Sequence, residues 1–210
     1  MERVKSDASP DDGRPDSGSP RPDPPGRPLL LVKVGGGLLA LSAALPRVGE
    51  ALARVAARRA LVVVPGGGPF AEPVRAFQRD HYLSPSAAHW MAILAMDQYA
   101  HALVDHIPGG RLVEDRPGIL AAHALGAVPV LAPFRWLRAA DELPHTWEVT
   151  SDSLAAYLGT LLGAEELVLL KPVAGGDELV DPYFRRAVAA GMRWRVVSAA
   201  EESLDQAIGG

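Results

Sequence analysis

The sequence contains no cysteine among its 210 residues. Disulfide bonds, zinc sites built on thiolates and catalysis by a thiol are therefore excluded. No apolar run approaches the roughly 20 residues that a membrane-spanning helix needs, and no secretory signal core is evident. We therefore expect a cytoplasmic protein with no membrane partner.

Basic residues are not in excess either. The formal net charge is −4 at pH 7 and the isoelectric point is about 5.9, so the chain shows no sign of a nucleic-acid partner. Apolar residues make up 48% of the sequence. That share and the length of the chain are typical of one globular domain with a substantial core.

The first 28 residues differ from the rest of the chain. They consist mainly of Pro, Asp, Ser, Gly and Arg, with almost no large apolar side chains. Such a segment buries too little surface to offset the entropy of ordering it. We predict a disordered tail over residues 1–28 and a single domain over residues 29–210.

Short apolar runs alternate with helical patterns along that domain. Strands are predicted over residues 29–34, 61–64, 111–113, 128–131, 167–170 and 194–197. Helices are predicted over residues 44–58, 69–79, 85–106, 117–125, 151–163, 182–190 and 200–208, with an irregular loop over residues 133–144. Strands separated by helices indicate an α/β fold, a three-layer αβα sandwich around a mostly parallel central sheet.

Two triple-glycine turns each follow a predicted strand directly. They consist of Gly35, Gly36 and Gly37, and of Gly66, Gly67 and Gly68. Without a Cβ, a glycine turn lets backbone N–H groups approach an anion closely. Lys33 stands two residues before the first turn and would supply a fixed cation. Since ligands of parallel sheets bind at the carboxyl ends of the strands, the sequence predicts two phosphate-sized sites at one sheet edge.

Other phosphate-binding patterns fit less well. The P-loop pattern G-x-x-x-x-G-K-[ST] is absent. Gly35-x-Gly37-x-x-Ala40 and Gly66-x-Gly68-x-x-Ala71 both match the dinucleotide pattern G-x-G-x-x-[GA]. A dinucleotide site also needs an acid at the end of its second strand, whereas that strand ends here in Val64-Pro65.

Four elements in order resemble the amino acid kinase superfamily, which includes aspartate, glutamate and uridylate kinases. They are Val32-Lys33-Val34-Gly35-Gly36-Gly37, Val64-Pro65-Gly66-Gly67-Gly68, Thr150-Ser151-Asp152-Ser153 and the strand that ends in Lys171. The runs 89–99 and 147–153 further resemble the branch that acts in methanofuran-type cofactor synthesis. Members of this branch are similar to an aminomethylfuran-methyl phosphate kinase, which makes a diphosphate from a phosphate monoester.

The resemblance implies an ATP-dependent kinase with a small phosphorylated substrate, ATP and Mg²⁺. It implies catalytic roles for Lys33, Asp152 and Lys171. It implies that Gly35, Gly36, Gly37 and Lys171 bind the nucleotide phosphates, that Gly66, Gly67, Gly68 and Arg75 bind the acceptor, and that Asp152 coordinates Mg²⁺. From the residues alone, Ser151, Asp152 or Ser153 could each cap the helix that starts here, and a cap and a catalytic role can hold together. Arg75 could equally be a solvated helix residue.

The chain departs from the superfamily after Lys171. Many relatives continue with Asp-Gly-Val-Tyr and carry a further catalytic lysine, but no lysine follows Lys171 here. Either Lys171 or an arginine such as Arg195 would do that work, or turnover would be weak. A carboxylate or carbamate kinase, and a non-catalytic homologue that binds a nucleotide or oxyanion, are the alternative functions.

The sequence also offers candidates for the acceptor pocket and for an oligomer contact. His89, Trp90 and Asp97 are candidate pocket residues. Asp97 and His101 have a metal-ligand spacing but are better explained as an i,i+4 pair. Trp136 and Trp147 either form a lid or pack on the core. The resemblance also implies a homodimer or higher homo-oligomer, because relatives commonly pair through a helix equivalent to residues 85–106. Trp90, Met91, Met96 and Tyr99 make this helix more apolar than one buried face needs.

Overall fold

A computed structural model describes residues 28–41 and 44–210. Its centre is a six-stranded, fully parallel sheet with the order β3-β4-β2-β1-β5-β6. The strands are β1 (Leu30–Val34), β2 (Leu61–Pro65), β3 (Gly110–Val113), β4 (Val128–Leu131), β5 (Glu166–Lys171) and β6 (Arg193–Ser198). The tail predicted over residues 1–28 lies, apart from Pro28, outside the described residues.

Helices cover both faces of the sheet. They are α1 (Ala44–Ala56), α2 (Gly68–His81), α3 (Pro85–His106), α4 (Arg116–Ala124), α5 (Phe134–Ala140), α6 (Ser151–Leu162), α7 (Phe184–Ala187) and α8 (Leu204–Gly209). Two short 3₁₀ segments span Gly36–Ala40 and Asp177–Leu179. The predicted three-layer α/β architecture is confirmed. Among these helices, none is both long and apolar enough to cross a membrane.

Three predicted elements were wrong in extent. The loop predicted over residues 133–144 contains α5, which begins after Pro133 because proline is tolerated at a helix start and because Asp97 accepts the Phe134 N–H. The helix predicted over 182–190 is reduced to α7. The helix predicted over 200–208 begins only at Leu204.

The alternation of side chains along β1 decides where Lys33 lies. Leu30, Val32 and Val34 pack into one hydrophobic cluster together with α1 and α8, whereas Leu31 packs into the cluster on the opposite face, together with α6 and α7. Successive side chains of a strand point to opposite faces, so Lys33 shares the face of Leu31. The lysine therefore points toward α6.

The same alternation applies to β5, the strand beside β1. Leu167 and Leu169 belong to the cluster that contains α6, and Lys171 follows in the same phase. The register pairs Lys33 with Leu169. Lys33 and Lys171 thus leave neighbouring strands on one face, at the carboxyl end of the sheet.

Candidate functional site

Two lysines meet one carboxylate at the carboxyl ends of β1 and β5. Lys33 Nζ lies 2.7 Å from Asp152 Oδ1, and Lys171 Nζ lies 2.7 Å from Asp152 Oδ2. Asp152 stands in the first turn of α6. The structure therefore brings together the three residues predicted to be catalytic, although they come from three separate segments of the chain.

The cluster is buried and carries one excess positive charge. Burial alone would raise the pKa of Asp152, but the charges of Lys33 and Lys171 outweigh it and hold that pKa below its usual range. Burial, and then the charge of Lys33, lower the pKa of Lys171. The excess charge is suited to attract the phosphate groups of a nucleotide.

Lysine is scarce in this chain, which makes the cluster distinctive. The sequence contains three lysines, Lys5, Lys33 and Lys171, against many arginines. Lys5 lies outside the described residues, so both lysines of the described part bond Asp152. A lysine ammonium is a compact point charge with three donors, so each of these lysines has further N–H groups available to an anion while it bonds Asp152.

Asp181 holds the helix that carries Asp152. Its Oδ2 accepts the Thr150 N–H at 2.9 Å, the Thr150 hydroxyl at 2.8 Å and the Ser153 N–H at 3.0 Å. Its Oδ1 accepts the Ser153 hydroxyl. Sequence analysis missed this residue, because no local pattern links an acid before Pro182 to a helix that begins about thirty residues earlier.

The two glycine turns lie against each other. A Cβ added to Gly36 would lie only 2.1 Å from Gly68 Cα, so this close approach requires glycine. The Gly35 N–H donates to Leu170 O at 2.8 Å, and the Gly66 N–H donates to Val34 O at 2.8 Å. The N–H of the first glycine in each turn is therefore used within the sheet, which corrects the prediction that Gly35 donates to the nucleotide phosphates and that Gly66 takes part in holding the acceptor.

The remaining glycines border a cavity of about 770 Å³. Gly36 and Gly37 lie at its edge, as do Gly67 and Gly68. Gly67 and Gly68 form the start of α2, where unpaired backbone N–H groups and the helix dipole favour an anion. The rest of the lining combines apolar and polar side chains, among them Arg75, Gln78, His89, Ile93, His145 and Trp147.

Arg75 lies in this cavity and is held by an aromatic ring. Its guanidinium carbon lies 4.0 Å from the centre of the Trp147 ring, and the Trp147 indole N–H donates to Gln78 Oε1 at 2.6 Å. Stacking of this kind stabilises a cation over an aromatic face. Trp147 thus joins the loop before α6 to α2 and fixes the position of the arginine.

A pair of stacked imidazoles forms another wall of the cavity. The rings of His89 and His145 are 4.2 Å apart, and His145 Nε2 lies 2.8 Å from Asp141 Oδ1. Burial, and then the neighbouring His145, lower the pKa of His89 to about 4. His89 is therefore neutral at pH 7 and contributes a flat, uncharged surface.

Four other candidate residues lie away from this cavity. Trp90 and Trp136 pack against the hydrophobic cluster on the α6 face, so Trp136 is not part of a lid. Asp97 accepts the Phe134 N–H at 3.0 Å, and its pKa is raised to about 6, first of all by burial. Arg195 bonds Glu166 and the end of α8 and cannot replace a catalytic lysine from there.

Asp152 does not fit the predicted role of a magnesium ligand. Each of its two carboxylate oxygens bonds a lysine ammonium at 2.7 Å, so a metal ion would be a third cation on this carboxylate and would be repelled by the two ammonium groups. In residues 28–41 and 44–210, no group of three His, Cys, Asp or Glu side chains has the arrangement of a metal site. This includes the neighbourhood of Asp97 and His101.

Part of the argument for a homo-oligomer is also corrected. Met96 and Tyr99 are almost fully buried in the core of the chain itself and do not present an apolar face to a second copy. Leu94 on the same helix is exposed. The oligomeric state remains a prediction.

Known kinases resemble this chain in sequence and in fold. The model of the amino acid kinase family matches residues 28–175. The [5-(aminomethyl)furan-3-yl]methyl phosphate kinase of Methanocaldococcus jannaschii is 30% identical over 149 residues, which are 70% of this chain and 67% of that protein. The uridylate kinase of Archaeoglobus fulgidus has a similar fold, with a TM-score of 0.60 and 18% identity over 86% of this chain and 95% of that one.

Proposed function

This chain belongs to the amino acid kinase family and is a phosphotransferase, and we propose that it phosphorylates a phosphate monoester with ATP to give a diphosphate. The acceptor we propose resembles [5-(aminomethyl)furan-3-yl]methyl phosphate, the compound in the name of the relative from M. jannaschii. The observation that carries the proposal is the Lys33–Asp152–Lys171 cluster beside the two glycine turns.

The state of Asp152 favours an acceptor that is already ionised. Its pKa is held low between two ammonium groups, so this carboxylate is a poor general base. A phosphate monoester needs no base, because its oxygen is anionic at neutral pH. The bond between the γ-phosphorus and the β–γ bridging oxygen breaks, an acceptor oxygen bonds the γ-phosphorus, and ADP leaves with no net proton transfer.

The two lysines would supply the main stabilisation of that step. Charge on the moving phosphoryl group has to be neutralised while the attacking and leaving oxygens are held in line. Lys33 and Lys171 carry fixed positive charges on adjacent strands, and Asp152 holds both ammonium groups. Preorganised charges of this kind need no rearrangement as the reaction proceeds.

The cavity suits a small heteroaromatic phosphate. Gly67 and Gly68 at the start of α2, with Arg75 nearby, provide an anion-binding end. Trp147, His89 and Ile93 provide flat or apolar surface for a ring. A volume of about 770 Å³ lies within the range of ordinary small-molecule sites.

Mg²⁺ would enter this reaction as the counter-ion of ATP, where it supplies charge neutralisation between phosphates. We assign it to no carboxylate of the cluster, because both Asp152 oxygens bond lysine. We also propose a cytoplasmic protein that works as a homodimer or higher homo-oligomer.

The test is a ³¹P NMR experiment on the purified protein with MgATP and [5-(aminomethyl)furan-3-yl]methyl phosphate. We expect the acceptor signal to be replaced by the two coupled signals of a diphosphate, in step with ADP formation. A parallel incubation with carboxylate acceptors is read for an acyl phosphate. An acyl phosphate without any diphosphate would contradict the phosphate acceptor and favour a carboxylate kinase.

A further inference from the structure

Residues 179–183, which follow β5, connect three parts of the site. The Leu179 carbonyl accepts a hydrogen bond from Lys171 Nζ. Asp181 bonds the first turn of α6. The Tyr183 N–H donates to Glu148 O at 3.2 Å, in the loop that carries Trp147 and borders the cavity. We name residues 179–183 the bridging segment.

We propose that Asp181 is a positioning residue for phosphoryl transfer: its carboxylate fixes Asp152 between the two lysines, and its negative charge supports the positive charge of Lys171. The inference rests on the role that the proposed function gives to Asp152. It goes beyond that role because it assigns the alignment of the cluster to a residue that touches no substrate.

The bonds of Asp181 leave Asp152 little freedom. Thr150 and Ser153 are the two anchors, and Asp152 lies between them in the chain. Thr150 makes no cap with its own side chain, and the carboxylate from the bridging segment accepts two of the free N–H groups at this helix start, those of Thr150 and Ser153. Bonds from N–H and O–H donors to a carboxylate are charge-assisted and about twice as strong as neutral ones.

Asp181 also acts on the cluster through its charge. The groups that bear on Lys171 are Lys33 from β1, Asp152 from α6 and Asp181 from the bridging segment. The negative charge of Asp181 raises the pKa of Lys171 against the opposing influence of burial and Lys33. The substitution Asp181→Asn would remove this effect on the pKa of Lys171, while the amide oxygen would still accept hydrogen bonds at the start of α6.

Two substitutions of Asp181 separate its effect on the position of Asp152 from the effect of its negative charge on Lys171. Asp181→Asn keeps the shape and one carbonyl acceptor but removes the charge, whereas Asp181→Ala removes both. We expect Asp181→Ala to lower kcat about 100-fold, the size of effect produced by a misplacement of about 1 Å in an active site. We expect a smaller loss for Asp181→Asn, and little change in KM for the acceptor, because Asp181 does not border the cavity.

The matched control is Asp115→Asn. Asp115 Oδ1 accepts the Gly118 N–H at 2.8 Å at the start of α4, so the same substitution removes the charge of another helix-capping carboxylate while an amide oxygen still accepts that N–H. Asp115 belongs to neither the cluster nor the cavity. We expect its kcat and pH profile to match those of the unsubstituted protein.

The decisive measurement does not depend on turnover. With three lysines in the chain, ¹⁵N-lysine labelling gives few Nζ signals, and Lys171→Met identifies the one from Lys171. We expect Asp181→Asn, but not Asp115→Asn, to move the titration midpoint of Lys171 to lower pH. The alkaline limb of kcat should move in the same direction.

An unchanged midpoint in Asp181→Asn would overturn the electrostatic part of the proposal, and an unchanged kcat in Asp181→Ala would overturn the positional part. If neither variant folds, Ser153→Ala removes one donor to Asp181 and keeps the charge, and an unchanged kcat there would overturn the proposal. If the unsubstituted protein makes no diphosphate, the proposed acceptor fails while the Lys171 titration still tests Asp181.

Discussion

Two buried carboxylates lie between cationic side chains at opposite ends of the central sheet. Asp152 lies at the carboxyl ends of the strands, 2.7 Å from each of two lysine ammonium groups. Glu166 begins β5 at the amino ends, where Arg59 and Arg195 each approach within 2.8 Å. In both places burial alone would raise the pKa of the carboxyl group, and the cations lower it below its ordinary value.

The surroundings of the two clusters differ. Arg195 also donates to the carbonyls of Ala207 and Ile208, and Arg59 donates to Gly209 O at 3.3 Å. The guanidinium forks at Glu166 therefore fasten the end of α8 to the sheet. The cluster at Asp152 instead adjoins the two glycine turns, where the backbone is open to an anion.

The comparison shows that a buried carboxylate with two cations is not by itself a catalytic signature. Arginine presents a rigid planar set of donors, which suits permanent bonds to carbonyl and carboxylate oxygens. Lysine presents a point charge that is free to change partners. The position on the sheet, the cation and the neighbouring backbone together distinguish the candidate site from a structural fastening.

The largest effect is expected from Lys33→Ala. It removes one of the two charges assigned to the transferred phosphoryl group, and loss of one such preorganised group typically lowers kcat by about 100- to 1000-fold. The fold should persist, because Asp152 keeps Lys171 as its counter-ion. Steady-state kinetics and circular dichroism measure the two expectations, and near-normal turnover in a folded variant would refute the role of Lys33.

A smaller effect, on stability rather than catalysis, is expected from Glu166→Gln. It leaves Arg59 and Arg195 without their anion, and losing hydrogen bonds to charged groups costs about 2 kcal/mol. For a chain of this size that lowers the Tm by about 4–8 °C. Calorimetry should show this loss while kcat stays unchanged, and a large fall in kcat would erase the contrast between the two clusters.

The pH dependence of that loss follows from the lowered pKa of Glu166. A carboxyl group whose pKa is lower in the folded state stabilises the protein above its unfolded pKa, near 4.3. That contribution fades as the pH falls through the folded value. The stability difference between Glu166→Gln and the unsubstituted protein should therefore be constant near neutral pH and shrink below about pH 4.

The smallest effect is expected from Asp97→Asn. This half-buried carboxyl has no nearby lysine or arginine partner among its interactions, and burial raises its pKa to about 6. Its charge therefore opposes folding as the pH rises above the unfolded pKa, near 3.9, and in full above about 6, whereas an amide oxygen still accepts the Phe134 N–H. We expect a higher Tm for Asp97→Asn at pH 7.5, with a difference that shrinks toward pH 4, and a lower Tm at pH 7.5 would contradict the pKa.

Much of the fold and of the cluster followed from local patterns. Short continuous apolar runs predicted the strands. The alternating direction of side chains along a strand then places Lys33 and Lys171 on one face of adjacent parallel strands. The glycine turns were identified correctly as turns because both directly follow strands. Their function was overstated, since the N–H groups of Gly35 and Gly66 continue the sheet.

Other parts of the site were not predictable from local patterns. The helix at Phe134–Ala140 depends on Asp97 from α3 to accept its first N–H. The sequence made Arg195 a candidate to replace the catalytic lysine that is missing after Lys171. In the structure, β6 places Arg195 beside Glu166 instead. Each of these outcomes depends on contacts between residues far apart in the chain.

The sequence by itself determined the parallel α/β architecture, the lysines at the ends of two strands and the glycine turns, because strand periodicity and the absence of a Cβ act locally. The tertiary structure alone decided that Asp152 bonds both lysines, that the glycine turns touch, and that Asp181 anchors α6. Those features join segments up to 119 residues apart. Such contacts arise only when packing of the two hydrophobic clusters brings the strands and helices together.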